Sequence, residues 1–332
     1  MRSAKIFLCH LTSDMFGDIL HVCHVFKKIS SEGGKRMFSK IRDNFHTYAI
    51  ITIVFWSTSF ISTRIAVQYL SVYSLAFLRN FLATCVLILL VVALKIKPPA
   101  LRDWKWFFAA GAMGFLLYTV TMGKGSETVT ASTCSVVIAT SPMLTAFYAQ
   151  VLYREKLKGY QWLAMVVEFT GIVVLTLMNG VFSRNAGIFW LILATLSSSF
   201  YNLFQRKLSK SYAPLPAAAY AIFAGTILML PFAPQAFQIA PNLPPVAVAH
   251  IVILGVFSSA LGYYTWSIAL AKAPKTSSVT NYMFVQPLAA TLCGFLIAGE
   301  MPDAATVVGG GIILVGTFFF NFGERFFGRG RT

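Results

Sequence analysis

The chain has 332 residues, of which 57% are hydrophobic and 11% are charged, whereas about a quarter of the residues in soluble domains are charged. This composition excludes an ordinary water-soluble domain, and the apolar residues form blocks of roughly 20, the length of a helix that crosses a bilayer. The formal net charge of +16 does not predict nucleic-acid binding, because the basic residues lie in alternate loops between these blocks.

The first 47 residues are more polar and form a predicted cytoplasmic extension. The apolar run at 6–11 is too short for a cleavable signal sequence. Cys9 with His10, and the run HVCH at 21–24, fit no standard zinc spacing, so we predict no metal site and no cofactor. Met37 is an alternative start of the chain, and with that start residues 1–36 would not belong to the native protein.

Apolar blocks bounded by charges, Pro or Gly predict ten transmembrane helices. They cover residues 48–70, 74–95, 105–123, 129–152, 159–180, 187–207, 215–235, 246–271, 276–298 and 303–323. We therefore expect an all-α integral membrane protein with one five-helix unit at 48–180 and a second at 187–323. A basic tail follows at 324–332.

Lysine and arginine are distributed unequally between the two sides of the predicted helices. With the N-terminus inside, 23 of them lie in cytoplasmic segments, and two, Lys124 and Arg184, lie in external loops. Cytoplasmic loops of membrane proteins carry this excess of basic residues. The asymmetry predicts a multi-pass protein of the cell (inner or plasma) membrane with both termini in the cytoplasm.

An internal repeat appears at a constant offset of 145 residues. The matched pairs are Tyr118 and Tyr263, Ser132 and Ser277, Pro142 and Pro287, Glu155 and Glu300, and Gly171 and Gly316. Because five helices is an odd number, the second copy must be inverted in the membrane relative to the first. Inverted repeats are typical of alternating-access carriers, which bind substrate near the midplane between the halves.

Several of these segments resemble the EamA-type transporters of the drug/metabolite transporter superfamily. The run FWSTSFI at 55–61 resembles the opening motif of that family and is followed by FLR at 77–79. The stretch from Pro142 through REKL at 154–157 to Gly171 is similar to the most recognisable family signature. The resemblance covers about residues 48–323. It implies ten helices with both ends cytoplasmic, a central cavity, and export or exchange of amino acids, other metabolites or drugs.

Two rival functions have different sequence requirements. An enzyme is not expected, because the MGKGS run at 122–126 lacks the earlier Gly and the Ser or Thr after Lys that a phosphate-binding loop needs. A channel-like facilitator of the same solutes remains an alternative, as does a nucleotide-sugar-type carrier of the same superfamily. The expected partners are a small-molecule substrate and the lipid bilayer. Glycines 309–311 and 316 suit tight helix packing, either within the chain or at a homodimer contact.

Polar and aromatic side chains within the spans are the candidates for a substrate cavity, since a lipid-facing helix would avoid most polar groups. The candidates are Trp56, Ser59, Phe60, Tyr118, Ser141, Tyr201, Asn202, Tyr263, Trp266, Asn281 and Gln286. Serines also bond their own helix backbone, and aromatic residues also face lipid headgroups. Pro142 and Pro287 are predicted near the middle of helices, where they act as hinges in gating or as static kinks.

Three charged residues lie inside predicted spans and away from the span ends. Glu168 lies near the middle of the fifth span, and its repeat mate is Ile313. An ionised carboxylate there is costly unless it is paired or faces water. Glu168 is therefore either a protonated group hydrogen-bonded between helices or a site of proton coupling or cation recognition. Arg64 and Arg79 lie nearer the outer surface, where snorkelling explains either one, although Arg79 belongs to the family-like motif and favours a polar contact inside the bundle.

Overall fold

The computed structural model describes residues 44–129, 131–178, 186–298 and 304–323, and within these ranges the chain is helical and contains no strand. The predictions for Met37, for the Cys and His runs near the N-terminus and for the tail at 324–332 lie outside the described residues. The same is true of Arg184 and Glu300.

The first half of the chain begins with two helices that have side-chain caps. The helices of this half are α1 (Phe45–Ala66), α2 (Val72–Ala93), α3 (Trp104–Gly111), α4 (Tyr118–Thr128), α5 (Ala131–Ile138), α6 (Ser141–Tyr153) and α7 (Gly159–Met178). Asn44 caps α1 by accepting a hydrogen bond from the His46 N–H at 3.0 Å. Ser71 caps α2 by accepting one from the Ser74 N–H at 3.2 Å. A side-chain oxygen at this position satisfies one of the free N–H groups of the first turn.

The second half repeats this order of elements. Its helices are α8 (Ala186–Ser211), α9 (Pro214–Leu228), α10 (Ala233–Ile239), α11 (Pro245–Val252), α12 (Gly262–Lys272), α13 (Thr276–Thr280), α14 (Gln286–Ala298) and α15 (Ala304–Phe322). A π-helical segment joins α3 to α4 (Ala112–Leu117), and another joins α11 to α12 (Ile253–Leu261). Both combined rods, Leu101–Thr128 and Pro245–Lys272, have 28 residues. Such π segments are frequent at functional sites.

The predicted fourth and ninth helices are broken rather than continuous. In the fourth, α5 ends at Ile138 and α6 begins at Ser141; in the ninth, the 3₁₀ segment Asn281–Val285 separates α13 from α14. The starts of α5 and α13, and those of α6 and α14, differ by the same 145 residues as the sequence repeat.

The breaks correct the prediction that Pro142 and Pro287 lie inside continuous helices. Each proline is the second residue of a new helix, α6 or α14. Proline is tolerated in the first turn because the N–H that it lacks has no partner within the helix there. The two prolines therefore start helices at matched points of the two halves.

Among the described residues, five helical rods are long and apolar enough to cross a membrane. They are Phe45–Ala66, Val72–Ala93, Leu101–Thr128, Ala186–Ser211 and Pro245–Lys272, and a sixth is added if α9 and the following segment Leu230–Asn242 count as one span. These two segments are bent by 53°, so the prediction of one helix over 215–235 is wrong. Pro231 and Pro234 remove backbone donors next to the end of α9, which explains the bend.

Helices α7 and α15 pack closely along each other at the repeat glycines. A Cβ atom on Gly171 would lie 2.7 Å from the Gly309 carbonyl oxygen, and one on Gly316 would lie 3.0 Å from the Ala164 carbonyl oxygen. Small residues allow two helix backbones to approach in this way. Gly171, Gly309 and Gly316 therefore serve a contact within the chain, whereas Gly311 has open space beside it.

Candidate functional site

A central cavity lies where the two halves of the chain meet. Its lining comes from the first, second, third, sixth, eighth and ninth predicted spans, and consists of Trp56, Ser59, Arg79, Gly114, Tyr118, Ser198, Tyr201, Tyr263 and Met283. The empty volume is about 390 Å³, counting the space at the mouth.

Five of the predicted cavity residues are part of this lining: Trp56, Ser59, Tyr118, Tyr201 and Tyr263. The other six, Phe60, Ser141, Asn202, Trp266, Asn281 and Gln286, are buried but are not part of it. Several of them form a polar layer behind the wall. Asn202 Oδ1 accepts a hydrogen bond of 2.9 Å from Trp266 Nε1, and Ser141 Oγ lies 3.4 Å from Met283 Sδ.

Three aromatic side chains that line the cavity, Trp56, Tyr201 and Tyr263, belong to one connected cluster. Trp56 lies 5.0 Å from Tyr263 and 4.9 Å from Trp266 between ring centroids. Tyr263 in turn lies 4.6 Å from Phe115 and 5.3 Å from Tyr201. Aromatic pairs at these separations and tilted angles are attractive. The cluster gives the cavity rigid walls that suit planar or apolar groups.

Two glycines, one in each of the rods Leu101–Thr128 and Pro245–Lys272, leave room for aromatic rings of the cavity wall. A Cβ atom on Gly114 would overlap the Tyr201 ring, and one on Gly262 would lie 2.9 Å from Trp56 Nε1. Trp56 Nε1 also donates a hydrogen bond of 3.1 Å to the Ser258 carbonyl oxygen. The wall residues Trp56 and Tyr201 therefore pack on backbone positions at which any larger residue would displace them.

Arg79 is the one cationic side chain among the described residues of this lining. The sequence predicted either snorkelling or a polar contact inside the bundle for it. It is 4% exposed, and its Nε and Nη2 groups both donate to Ser259 Oγ, at 3.2 and 3.1 Å. Arg64 differs, because its Nη1 donates to the carbonyl oxygens of Ser126 and Val129 near the end of α4. An ionisable residue within a membrane span is a functional candidate by default, and that signal was available in the sequence.

Glu168 is fully buried and lies outside the cavity lining. Its Oε1 accepts a hydrogen bond of 2.8 Å from Asn281 Nδ2, which joins α7 to the 3₁₀ segment of the ninth span. A Cβ atom on Gly316 would overlap Glu168 Cγ, so the carboxyl stem packs directly on α15. Glu168 therefore contacts the helix break two residues before Met283, which lines the cavity.

A second polar group, the Glu155 cluster, consists of Glu155, Arg206 and Thr276. Glu155 accepts hydrogen bonds from the Thr276 N–H at 2.8 Å and from Thr276 Oγ1 at 2.7 Å. Arg206 Nε lies 3.9 Å from Glu155 Oε1, and its terminal nitrogens donate to the carbonyl oxygens of Leu270 and Pro274. The cluster ties the loop after α6 to the end of α8 and the start of α13.

The family model that describes the EamA-like transporter family matches residues 45–177 and again residues 185–322. The chain belongs to the EamA-like transporter family. The two matches cover the two halves of the bundle, and they confirm the sequence resemblance. Because the family is one of transporters, the prediction that the chain is not an enzyme is also confirmed.

Curated relatives of this EamA-like transporter carry transporter names. A protein of Streptantibioticus cattleyicolor named "Probable terminal-alkyne amino-acid exporter" is 29% identical over 85% of this chain and 94% of its own length. An S-adenosylmethionine uptake transporter of Rickettsia prowazekii is 25% identical over 76% of this chain and 84% of its own. A solved crystal structure with 18% identity has a TM-score of 0.68 and covers 84% of this chain and 96% of its own, which shows the shared fold.

Proposed function

We propose that the chain is a secondary transporter that moves a small amphipathic metabolite, such as an amino-acid-like or drug-like solute, through the central cavity by alternating access. One observation carries the proposal: residues of both halves line the same cavity, with Trp56 and Arg79 from the first half and Tyr201 and Tyr263 from the second. A site between two inverted halves can be opened to either side when one half moves against the other.

The proposed architecture has ten transmembrane spans in two inverted five-helix repeats, at 48–180 and 187–323, with both termini in the cytoplasm of a cell-membrane protein. The five long rods count as five spans, and the bent pair that begins with α9 counts as a sixth. Each of the pairs α5–α6 and α13–α14 is one broken span, and α7 and α15 complete the two halves. The matched starts at a spacing of 145 residues support this arrangement.

The helix starts at Pro142 and Pro287 are the proposed hinges. Each follows an interruption of regular α-helix, a turn at residues 139–140 or the 3₁₀ segment Asn281–Val285. One part of the span can therefore turn at a point where the α-helical geometry is already interrupted. The Glu155 cluster is the proposed gate at one end of the cavity. It joins elements of both halves, so access from that end requires Thr276 and Arg206 to separate from Glu155.

Glu168 is the proposed route by which protonation affects the cavity. It holds Asn281 at 2.8 Å, and Asn281 belongs to the segment that carries Met283 into the lining. An ionised Glu168 in this apolar surrounding would demand a new partner or water, which would displace the segment. The alternative is a static interhelical hydrogen bond with no role in coupling.

The substitution Glu168→Gln separates these two roles because it keeps a hydrogen-bonding side chain of the same size and removes the titratable group. We expect transport to continue with its pH dependence abolished. The measurement is uptake into proteoliposomes at a series of pH values on both sides of neutrality. The control is Glu127→Gln, since Glu127 forms an exposed pair with Lys124 at 3.1 Å. Full activity with unchanged pH dependence would leave only the static role.

Counterflow in proteoliposomes tests the transport proposal as a whole. The vesicles are loaded with amino acids, purine-type metabolites or aromatic cations, and run with and without an imposed pH gradient. Trans-acceleration by one class supports a carrier and identifies its substrates, and the relative named as an amino-acid exporter makes amino acids the first class to test. Rapid flux without trans-acceleration would instead support a channel-like facilitator, and no flux for any solute would contradict both.

A further inference from the structure

Arg79 has hydrogen-bonding capacity that the protein around it does not use. A guanidinium group has five N–H donors, and the two bonds that Arg79 makes both go to the single hydroxyl oxygen of Ser259. Its Nη1 makes no hydrogen bond to the described residues and is not fully buried. Nη1 therefore reaches the space of the cavity that Arg79 lines.

No carboxylate among the described residues neutralises this charge. The four acidic residues in those ranges are Asp103, Glu127, Glu155 and Glu168. Their contacts are with Tyr212, Lys124, Thr276 and Asn281 respectively. A buried cation is costly without a partner, and the cost is greatest within a membrane. An anion entering the cavity would meet a positive charge that has no competing partner there.

The rest of the lining indicates what else the anion would carry. The faces of Trp56 and Tyr263 offer an apolar wall. Tyr201 also lines the cavity, but its hydroxyl group is fully buried and does not face the open space. The unused N–H groups of the guanidinium suit a planar, singly charged group that accepts two hydrogen bonds. A phosphate dianion carries a second negative charge, and no other described residue of the lining is cationic and could balance it.

We propose that Arg79 is the anion-binding residue of the cavity and that it selects small amphipathic carboxylates, whose apolar bodies pack on Trp56 and Tyr263. The biological role of this site rests on the proposed transport function. Its test does not, because the test measures binding without flux. Ser259 is the positioning residue, since its hydroxyl holds the guanidinium plane. Amines that lack a carboxylate are rejected because Arg79 repels their charge.

The test compares three probes that share one apolar body: 3-phenylpropionate, 3-phenylpropionamide and 3-phenylpropylamine. Their binding to the purified full-length protein in detergent is measured by isothermal titration. A hydrogen bond to a charged group is worth enough for the carboxylate to bind at least about tenfold more tightly than the neutral amide. We expect the amine to bind most weakly. This comparison uses the unmodified protein and does not depend on any variant folding.

Variants then assign the preference to the residue. Arg79→Gln is expected to remove the advantage of the carboxylate over the amide, and Arg79→Lys to retain part of it, because lysine keeps the charge without the planar fork. Arg64→Gln is the matched control, since Arg64 also lies within a span but bonds to backbone carbonyls away from the cavity. That variant is expected to keep the preference.

The outcomes separate this inference from the transport proposal. Equal binding of the amide and the carboxylate, tighter binding of the amine, a preference that survives in Arg79→Gln, or no binding of any probe would each overturn the role of Arg79. Carboxylate binding that depends on Arg79, together with no counterflow, would confirm the site and contradict transport. Counterflow of amines alone would support a carrier and overturn the anion site.

Discussion

Arg79 and Arg206 are both buried arginines on long helices, at 4% and 9% exposure, yet their surroundings differ. Arg206 lies beside the Glu155 carboxylate and donates to two backbone carbonyl groups where α12 ends. Arg79 has one hydroxyl partner and faces a cavity walled by aromatic rings. The charge of Arg206 is used by the protein itself, whereas that of Arg79 is left available.

The difference shows how to distinguish a structural charge from a binding charge inside a membrane protein. Burial alone does not do so, since both arginines are buried. The number of hydrogen-bonded donors and the presence of a neighbouring carboxylate distinguish the two, because a charge that the protein already pairs interacts weakly with a ligand. The Glu155 cluster should therefore control stability and opening, and Arg79 should control affinity.

The largest expected effect on stability is that of Arg206→Met. It removes the donors to Leu270 and Pro274 and the cation beside Glu155, so the free energy of unfolding should fall by about 2–4 kcal/mol. Thermal unfolding of the purified protein measures the loss. The control is Arg102→Met, since Arg102 is 89% exposed and its loss should have little effect on stability. Equal midpoints for the two variants would contradict the structural role of Arg206.

A smaller loss is expected from Gly114→Ala, which acts on the cavity wall. The new methyl group would overlap the Tyr201 ring, and overpacking of this kind costs about 1–3 kcal/mol. Because Tyr201 and Tyr263 are in contact, probe binding should weaken as well. Gly159→Ala is the control, as no atom lies within 4 Å of the place that its methyl group would take. Unchanged binding in Gly114→Ala would show that the Tyr201 ring does not shape the site.

The smallest expected change in stability is that of Arg79→Met, which sharpens the comparison with Arg206→Met. Arg79 has no carboxylate partner among the described residues, so its replacement leaves no opposite charge buried without a partner. The substitution also removes the free-energy cost of burying the guanidinium group. The free energy of unfolding should change by less than about 1 kcal/mol, while binding of 3-phenylpropionate is lost. Thermal unfolding and titration of the same sample check both parts. A loss of stability as large as that of Arg206→Met would mean that Arg79 is also structural.

Much of the architecture was available from the sequence. The spacing of 145 residues between Pro142 and Pro287 is the spacing at which the broken helices begin again, and the aromatic pair Tyr118 and Tyr263 meets in one cavity. The break itself was not predicted, because a proline such as Pro142 is compatible with a kink in a continuous helix as well as with the first turn of a new one. The bend after α9 was missed for the same reason.

The candidate site was predicted less completely than the fold. Pattern and composition select polar and aromatic residues within a span, but they do not say which side of a helix meets the cavity. Trp56 and Trp266 touch each other, yet Trp56 lines the cavity and Trp266 lies behind it, bonded to Asn202. The role of Arg79 depended on Ser259, a residue 180 positions away.

The sequence by itself determined that the protein is helical and embedded in a membrane, and that it contains an internal repeat. Hydrophobicity, length and periodicity can be read from local segments. Only the tertiary structure decided which charges are satisfied and which are free. That depends on pairs such as Glu155 with Thr276 and Glu168 with Asn281, which are distant in the chain. Their contacts form when the two halves pack together, and the same packing leaves Arg79 facing a cavity.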